Sequence, residues 1–161
     1  MIDRGKARKE KSREAEVREM LEGIEHVGLS VSDLDRSIAF YCGLLGLKLA
    51  RKLEFPSDSR IGEINGMPSS SARIAHLESG KAMLELFEYV EPRGKPIPAG
   101  ARQADNGYIH IGLTSSDTRA DYARLRQSGV EFLGEPVELR PNVWIVYFRG
   151  PDGEICELRQ T

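Results

Sequence analysis

The chain has 161 residues, enough for one ordinary domain with a core of its own, so neither a disulfide nor a structural metal is needed merely to hold it folded. Its 23 basic and 25 acidic side chains nearly cancel, which removes any electrostatic reason to expect nucleic acid or an anionic membrane as partner and points to a small molecule. Cys42 and Cys156 stand far apart and exclude a disulfide framework, and no apolar run approaches the ~18 residues of a membrane span, so reduced core thiols in a cytoplasmic protein are expected.

Residues 1–22 are dense in Lys, Arg and Glu, with Lys6 and Glu10 or Glu14 and Arg18 at helical spacing but almost nothing apolar before Val17. They read as a charged N-terminal helical arm, followed by a single domain over 23–161. After Gly23 the character changes. IEHVGLSVSD alternates like a strand, and Ser32 or Asp33 then caps a helix whose Leu34, Ile38, Tyr41 and Leu45 fall on one face before Gly46 ends it. LKLARKLEF, SARIAHLE and AMLELFEYV follow as three strands, with a polar stretch over 55–71 between the first and second. The whole is a βαβββ module over about 24–90.

The same order returns over about 108–160. YIHIGLTSSD is a strand, TRADYARLRQSG a helix ending at Gly129, and EFLGEPVEL, NVWIVYFRG and EICELRQ are three more strands, the last two joined by the GPDG turn. HVGLSVSD from His26 aligns with HIGLTSSD from His110, 84 residues on, with His, Gly, Leu, Ser and Asp at matching places. Each module also closes on Glu-Leu: Glu85 lies 59 residues after His26, and Glu157 lies 47 after His110. The extra length of the first copy falls in the polar stretch. The fold class is therefore α+β, built from two βαβββ modules.

Side chains alternate across a strand, so His26 shares a face with Gly28 and Ser30, while Val27, Leu29 and Val31 turn to the helix. His110 repeats this with the small Gly112 and Thr114 beside it. Glu85, between Leu84 and Leu86, and Glu157, between Cys156 and Leu158, point away from the packed side. Carboxylates in a sheet interior are costly unless a cation balances them, and two imidazoles with two carboxylates suit zinc, nickel, cobalt, manganese or ferrous iron. A single strand His is ordinarily a hydrogen-bonded core residue, and a single strand Glu ordinarily faces water; the duplication is what singles out His26, Glu85, His110 and Glu157 as ligands of one divalent metal. His76 has no histidine counterpart in the second module and reads as a packing or pocket residue rather than a ligand.

These residues carry a resemblance to the vicinal oxygen chelate superfamily, which includes glyoxalase I, methylmalonyl-CoA epimerase, extradiol dioxygenases and the bleomycin and fosfomycin resistance proteins. IEHVGLSVSDLDRSIAFYCGLLGLKL resembles its first β-α unit, MLELFEY its fourth strand, and VYFRGPDGEICEL its C-terminal hairpin. The resemblance implies a mixed sheet curled into a cup around one metal, a small-molecule substrate with adjacent oxygens, and a homodimer in which His26 and Glu85 of one chain share the metal with His110 and Glu157 of the other.

A set of four protein ligands resembles the glyoxalase I and epimerase branch, which implies proton abstraction beside a carbonyl, with Glu157 as the base and Glu85 the second candidate. The alternatives are an iron-dependent ring-cleaving dioxygenase and a protein that sequesters a drug. Where glyoxalase I has a glutathione-binding Asn four residues after the ligating Glu, this chain has Tyr89, which puts glutathione in question. Arg51 and Tyr89 are the candidate substrate-binding residues, and Arg93 and Lys95 are further cations for an anionic group.

Overall fold

The computed structural model describes residues 23–161; the helical arm expected over 1–22 lies outside the described residues. The first module runs β1 (Val27–Ser30), α1 (Leu34–Ile38), a π-helical turn (Ala39–Leu44), β2 (Lys48–Phe55), α2 (Ile61–Asn65), β3 (Ser71–Ser79) and β4 (Ala82–Glu91). The second runs β5 (Ile111–Thr114), α3 (Thr118–Gln127), β6 (Val137–Arg140), β7 (Val143–Arg149) and β8 (Ile155–Gln160). Each builds a four-stranded sheet, in the orders β1-β4-β3-β2 and β5-β8-β7-β6. In both, the first strand runs parallel to the last and the other pairings are antiparallel. The two βαβββ modules are thus topological copies, with Gly28 paired to Glu85 in one and Gly112 to Glu157 in the other.

The helices start where expected. Asp33 caps α1 by accepting from Arg36 N, and Asp117 caps α3 by accepting from Arg119 N and Ala120 N. The first helix keeps α geometry for only five residues, then widens: Leu45 N donates to Phe40 O at 3.1 Å, an i to i−5 bond. Apolar spacing does not distinguish these two helical pitches over so short a run. Leu34 and Tyr41 still fall on the buried side, both fully covered.

Three expectations are corrected. The strands expected around His26 and His110 begin one residue after each histidine, so both imidazoles stand at the mouth of a short edge strand. The strand expected over EFLGEPVEL shrinks to β6 and an isolated Phe132–Phe148 bridge, because Pro136 has no N–H to donate and Gly134 adds no packing. The polar stretch over 55–71 carries α2, whose Ile61 packs with Ala72, Ile74, Phe87 and Tyr89.

One core joins the modules. α1 and its π turn supply Leu34 and Tyr41, the first sheet supplies Ala75, Leu77, Leu84 and Leu86, and the second module supplies Leu125, Val146, Phe148, Cys156 and Leu158. Tyr41 from the first module donates its hydroxyl to Glu154 of the second at 2.7 Å. Glu154 also occupies the space a Cβ would need at Gly150, so a larger residue at the start of the GPDG turn would have to displace its carboxylate from Tyr41. Burial of the flanking Leu84, Leu86, Cys156 and Leu158 leaves Glu85 and Glu157 on the faces turned away from this core.

Candidate functional site

In the first module, β2, β3 and β4 lie side by side so that Arg51 pairs with His76 and His76 with Glu85. One rank of side chains therefore crosses the outer face of the sheet. Arg51 Nε donates to His76 Nδ1 at 3.0 Å, and His76 Nε2 lies 2.8 Å from Glu85 Oε1. The other carboxylate oxygen, Oε2, is 3.2 Å from Nε2 of His26. His26 in turn pairs through Nδ1 with Glu25. The Glu25 hydrogen bond raises the pKa of His26, more than burial lowers it, and the Glu85 charge adds to the rise.

The second module repeats the pair. His110 Nε2 lies 3.0 Å from Glu157 Oε2, and His110 Nδ1 is 3.1 Å from Gln103 Oε1. Tyr147 takes the place of His76: it pairs across the strands with Glu157, and its ring centroid is 5.3 Å from that of His110. Burial, then the charge and hydrogen bonding of Glu157, push the Tyr147 phenol above its ordinary pKa. A Cβ built on Gly112 meets nothing within 4 Å, so the floor beside Glu157 is open.

Sequence reasoning singled out four ligands, and the structure brings them together as two pairs, His26 with Glu85 and His110 with Glu157. Among the described residues, no three or more His, Cys, Asp or Glu side chains are arranged to hold a metal ion within this one chain. The chemistry of each pair nonetheless fits a divalent cation. Both imidazoles give Nδ1 to an oxygen, Glu25 or Gln103, and turn Nε2 toward a carboxylate, the outer contact that commonly orients metal-binding histidines.

The two substrate-binding candidates lie on the Glu85 face. Arg51 commits Nε to His76, and Tyr89 stacks on Phe87, with ring centroids 6.0 Å apart and planes at 20°. His76 is no mere packing residue, since it touches the candidate ligand directly. Sequence reasoning missed the roles of Glu25, Gln103 and Tyr147. The cross-strand register would have found Tyr147, because it stands opposite Glu157 as His76 stands opposite Glu85. Gln103 sits in the irregular segment before β5, where no periodicity fixes its direction.

The model of a family described as the glyoxalase/bleomycin resistance protein/dioxygenase superfamily matches residues 23–158. A 2-epi-5-epi-valiolone epimerase from an Actinomyces species is 33% identical over 145 residues, covering 84% of this chain and 77% of the relative. A probable lactoylglutathione lyase from Synechocystis is 31% identical over 140 residues, covering 84% and 93%. The crystal structure of a glyoxalase family protein from Bacillus cereus superposes with a TM-score of 0.79 at 26% identity, covering 86% of this chain and 93% of that one.

Proposed function

Because the chain belongs to the glyoxalase/bleomycin resistance protein/dioxygenase superfamily, we propose that it is a divalent-metal-dependent lyase or isomerase of the glyoxalase or epimerase type. Its substrate is a small molecule with adjacent oxygens, and the reaction removes a proton next to a carbonyl. The observation that carries this reading is the repeated pair: in each module a histidine Nε2 faces a glutamate oxygen, at 3.2 and 3.0 Å, on the sheet face away from the core.

His26, Glu85, His110 and Glu157 hold the ion. The common core lies between the two site faces, so all four reach one ion when a second copy of the chain supplies the other pair. A divalent cation in such a site supplies Lewis-acid polarisation of the substrate oxygens. Glu157 takes the proton. It sits beside the open floor at Gly112, where a substrate carbon can approach its carboxylate. Arg51 and Tyr89 flank the substrate on the Glu85 side.

The test is elemental analysis of gently purified protein, followed by a screen of α-oxo thiol adducts, acyl-CoA esters and catechols with that metal bound. Stoichiometric metal, with exchange of the substrate's acidic C–H in D₂O, is the expected outcome. Oxygen consumption on catechols without such exchange would promote the dioxygenase. Absence of metal would promote the sequestering protein.

A further inference from the structure

The two carboxylates of the repeat are equivalent in topology but not in company. Glu85 meets His76, whose Nδ1 accepts from Arg51 Nε at 3.0 Å. A guanidinium donates and never accepts, so His76 Nδ1 carries no proton and Nε2 carries the ring N–H. That N–H points at Glu85 Oε1, 2.8 Å away. His76 is therefore fixed in the tautomer that donates to Glu85, by a cationic donor on Nδ1 that His26 and His110 lack. With Oε1 held by His76, only Oε2 remains on the His26 side.

Glu157 has a phenol in the same register position, and the β6–β7 ladder, which runs from Arg140–Val143 to Val137–Ile145, ends before it reaches Tyr147. No β6 residue is paired behind Tyr147 as Arg51 is paired behind His76. We infer that Arg51 and His76 form a positioning pair that fixes the Glu85 carboxylate, so that Glu85 is the held ligand and Glu157 the one free to move. This rests on the proposed metal site. It gives the near-symmetric site a direction, since a carboxylate held by a ring that Arg51 fixes in turn resists swinging to a substrate carbon, whereas one held by a rotatable hydroxyl yields. It also gives Arg51 a part beyond flanking the substrate, that of orienting a protein side chain.

The experiment measures Co(II) affinity of metal-stripped full-length protein, by competition with a chromophoric chelator, together with the Co(II) absorption spectrum. His76→Ala is expected to bind stoichiometrically but about 10- to 100-fold more weakly than wild type, the usual cost of losing an outer contact. His76→Gln, which keeps an amide N–H for Glu85, restores most of the affinity. Arg51→Met, at an exposed position, shifts affinity in the same direction as His76→Ala, with an unchanged circular dichroism spectrum as the check on folding. Tyr147→Phe costs less than His76→Ala.

Four results overturn the inference. In the first, His76→Ala binds as tightly as wild type. In the second, His76→Ala loses Co(II) as fully as His26→Ala with no rescue by Gln, which would make His76 a ligand. In the third, Tyr147→Phe costs as much as His76→Ala, which would remove the asymmetry. In the fourth, wild-type protein binds no Co(II), which would overturn the metal site itself, whereas the first three leave that site standing.

Discussion

His26, His76 and His110 share a side-chain type but not a part, and their Nδ1 partners separate them: a carboxylate, a guanidinium and an amide oxygen. The repeat made His26, His110 and the two glutamates legible, because only duplication raises a strand His or Glu above its ordinary role. Tautomer was not legible, since it depends on which ring nitrogen Glu25, Gln103 and Arg51 reach, which sequence spacing does not give. At this scale the roles of the carboxylates are open to substitution. Glu157→Gln keeps an oxygen but loses the base, so deuterium exchange into substrate should slow by roughly 100- to 10,000-fold. Glu85→Gln should instead lower metal affinity with a smaller effect on exchange at saturating metal. Exchange followed by mass spectrometry checks both, and the reverse ranking would move the base to Glu85.

The GPDG turn does more than join β7 to β8. Asp152 accepts from Ser32 N at 2.8 Å and Ser32 Oγ at 2.6 Å, and it pairs with Arg36, so the turn of one module clamps the start of α1 in the other. Burial raises the Asp152 pKa, but the Ser32 hydrogen bonds and the Arg36 charge outweigh it and leave the carboxyl below its ordinary value. The ionised form is thus favoured by folding. Its contribution to stability is present above the unfolded pKa of ~4 and is lost as pH falls through the lower folded value. Asp152→Ala should therefore cost about 1–3 kcal/mol in urea unfolding at pH 7, and the difference from wild type should shrink below pH ~4. A constant difference down to pH 3 would contradict the clamp.

The elements themselves were readable to different degrees. Alternation located β3, β4, β7 and β8, which are long and have one packed face. It overran β6, where Pro136 removes a donor, and it gave no sign of α2, whose five residues are too few to show a helical period. Cap chemistry placed the start of α1 at Ser32 or Asp33, of which Asp33 is the cap, because the capping side chain acts locally; Asp117 caps α3 in the same way.

For the molecule as a whole, the equal strand orders of the two sheets show how much a repeat in sequence constrains topology. What no repeat announces is how the copies meet. Here the π turn of the first module reaches the second, where the buried Tyr41 hydroxyl satisfies Glu154 and approaches Cys156 Sγ at 3.7 Å. Burial pushes the Cys156 thiol up to about 12, in keeping with an inert core thiol. Tyr41→Phe leaves the Glu154 carboxylate one donor short in the core and should cost about 1–3 kcal/mol by chemical unfolding, without loss of bound metal. Metal loss in Tyr41→Phe would mean that the joint between modules, and not each outer face alone, sets the site.

We propose that the core shared by the two modules keeps the two His–Glu pairs of one chain apart, and that a second copy completes each metal site. The most direct measurement is metal content after mixing two inactive variants, His26→Ala and Glu157→Ala, through reversible unfolding or subunit exchange. In a hybrid dimer both defects collect in one site and leave the other whole. With random reassortment half the dimers are hybrids, each with one of two sites intact, so the mixture should regain about a quarter of wild-type metal while each variant alone holds almost none. A mixture holding no more metal than its parents, from subunits shown to exchange, would contradict the shared four-residue site.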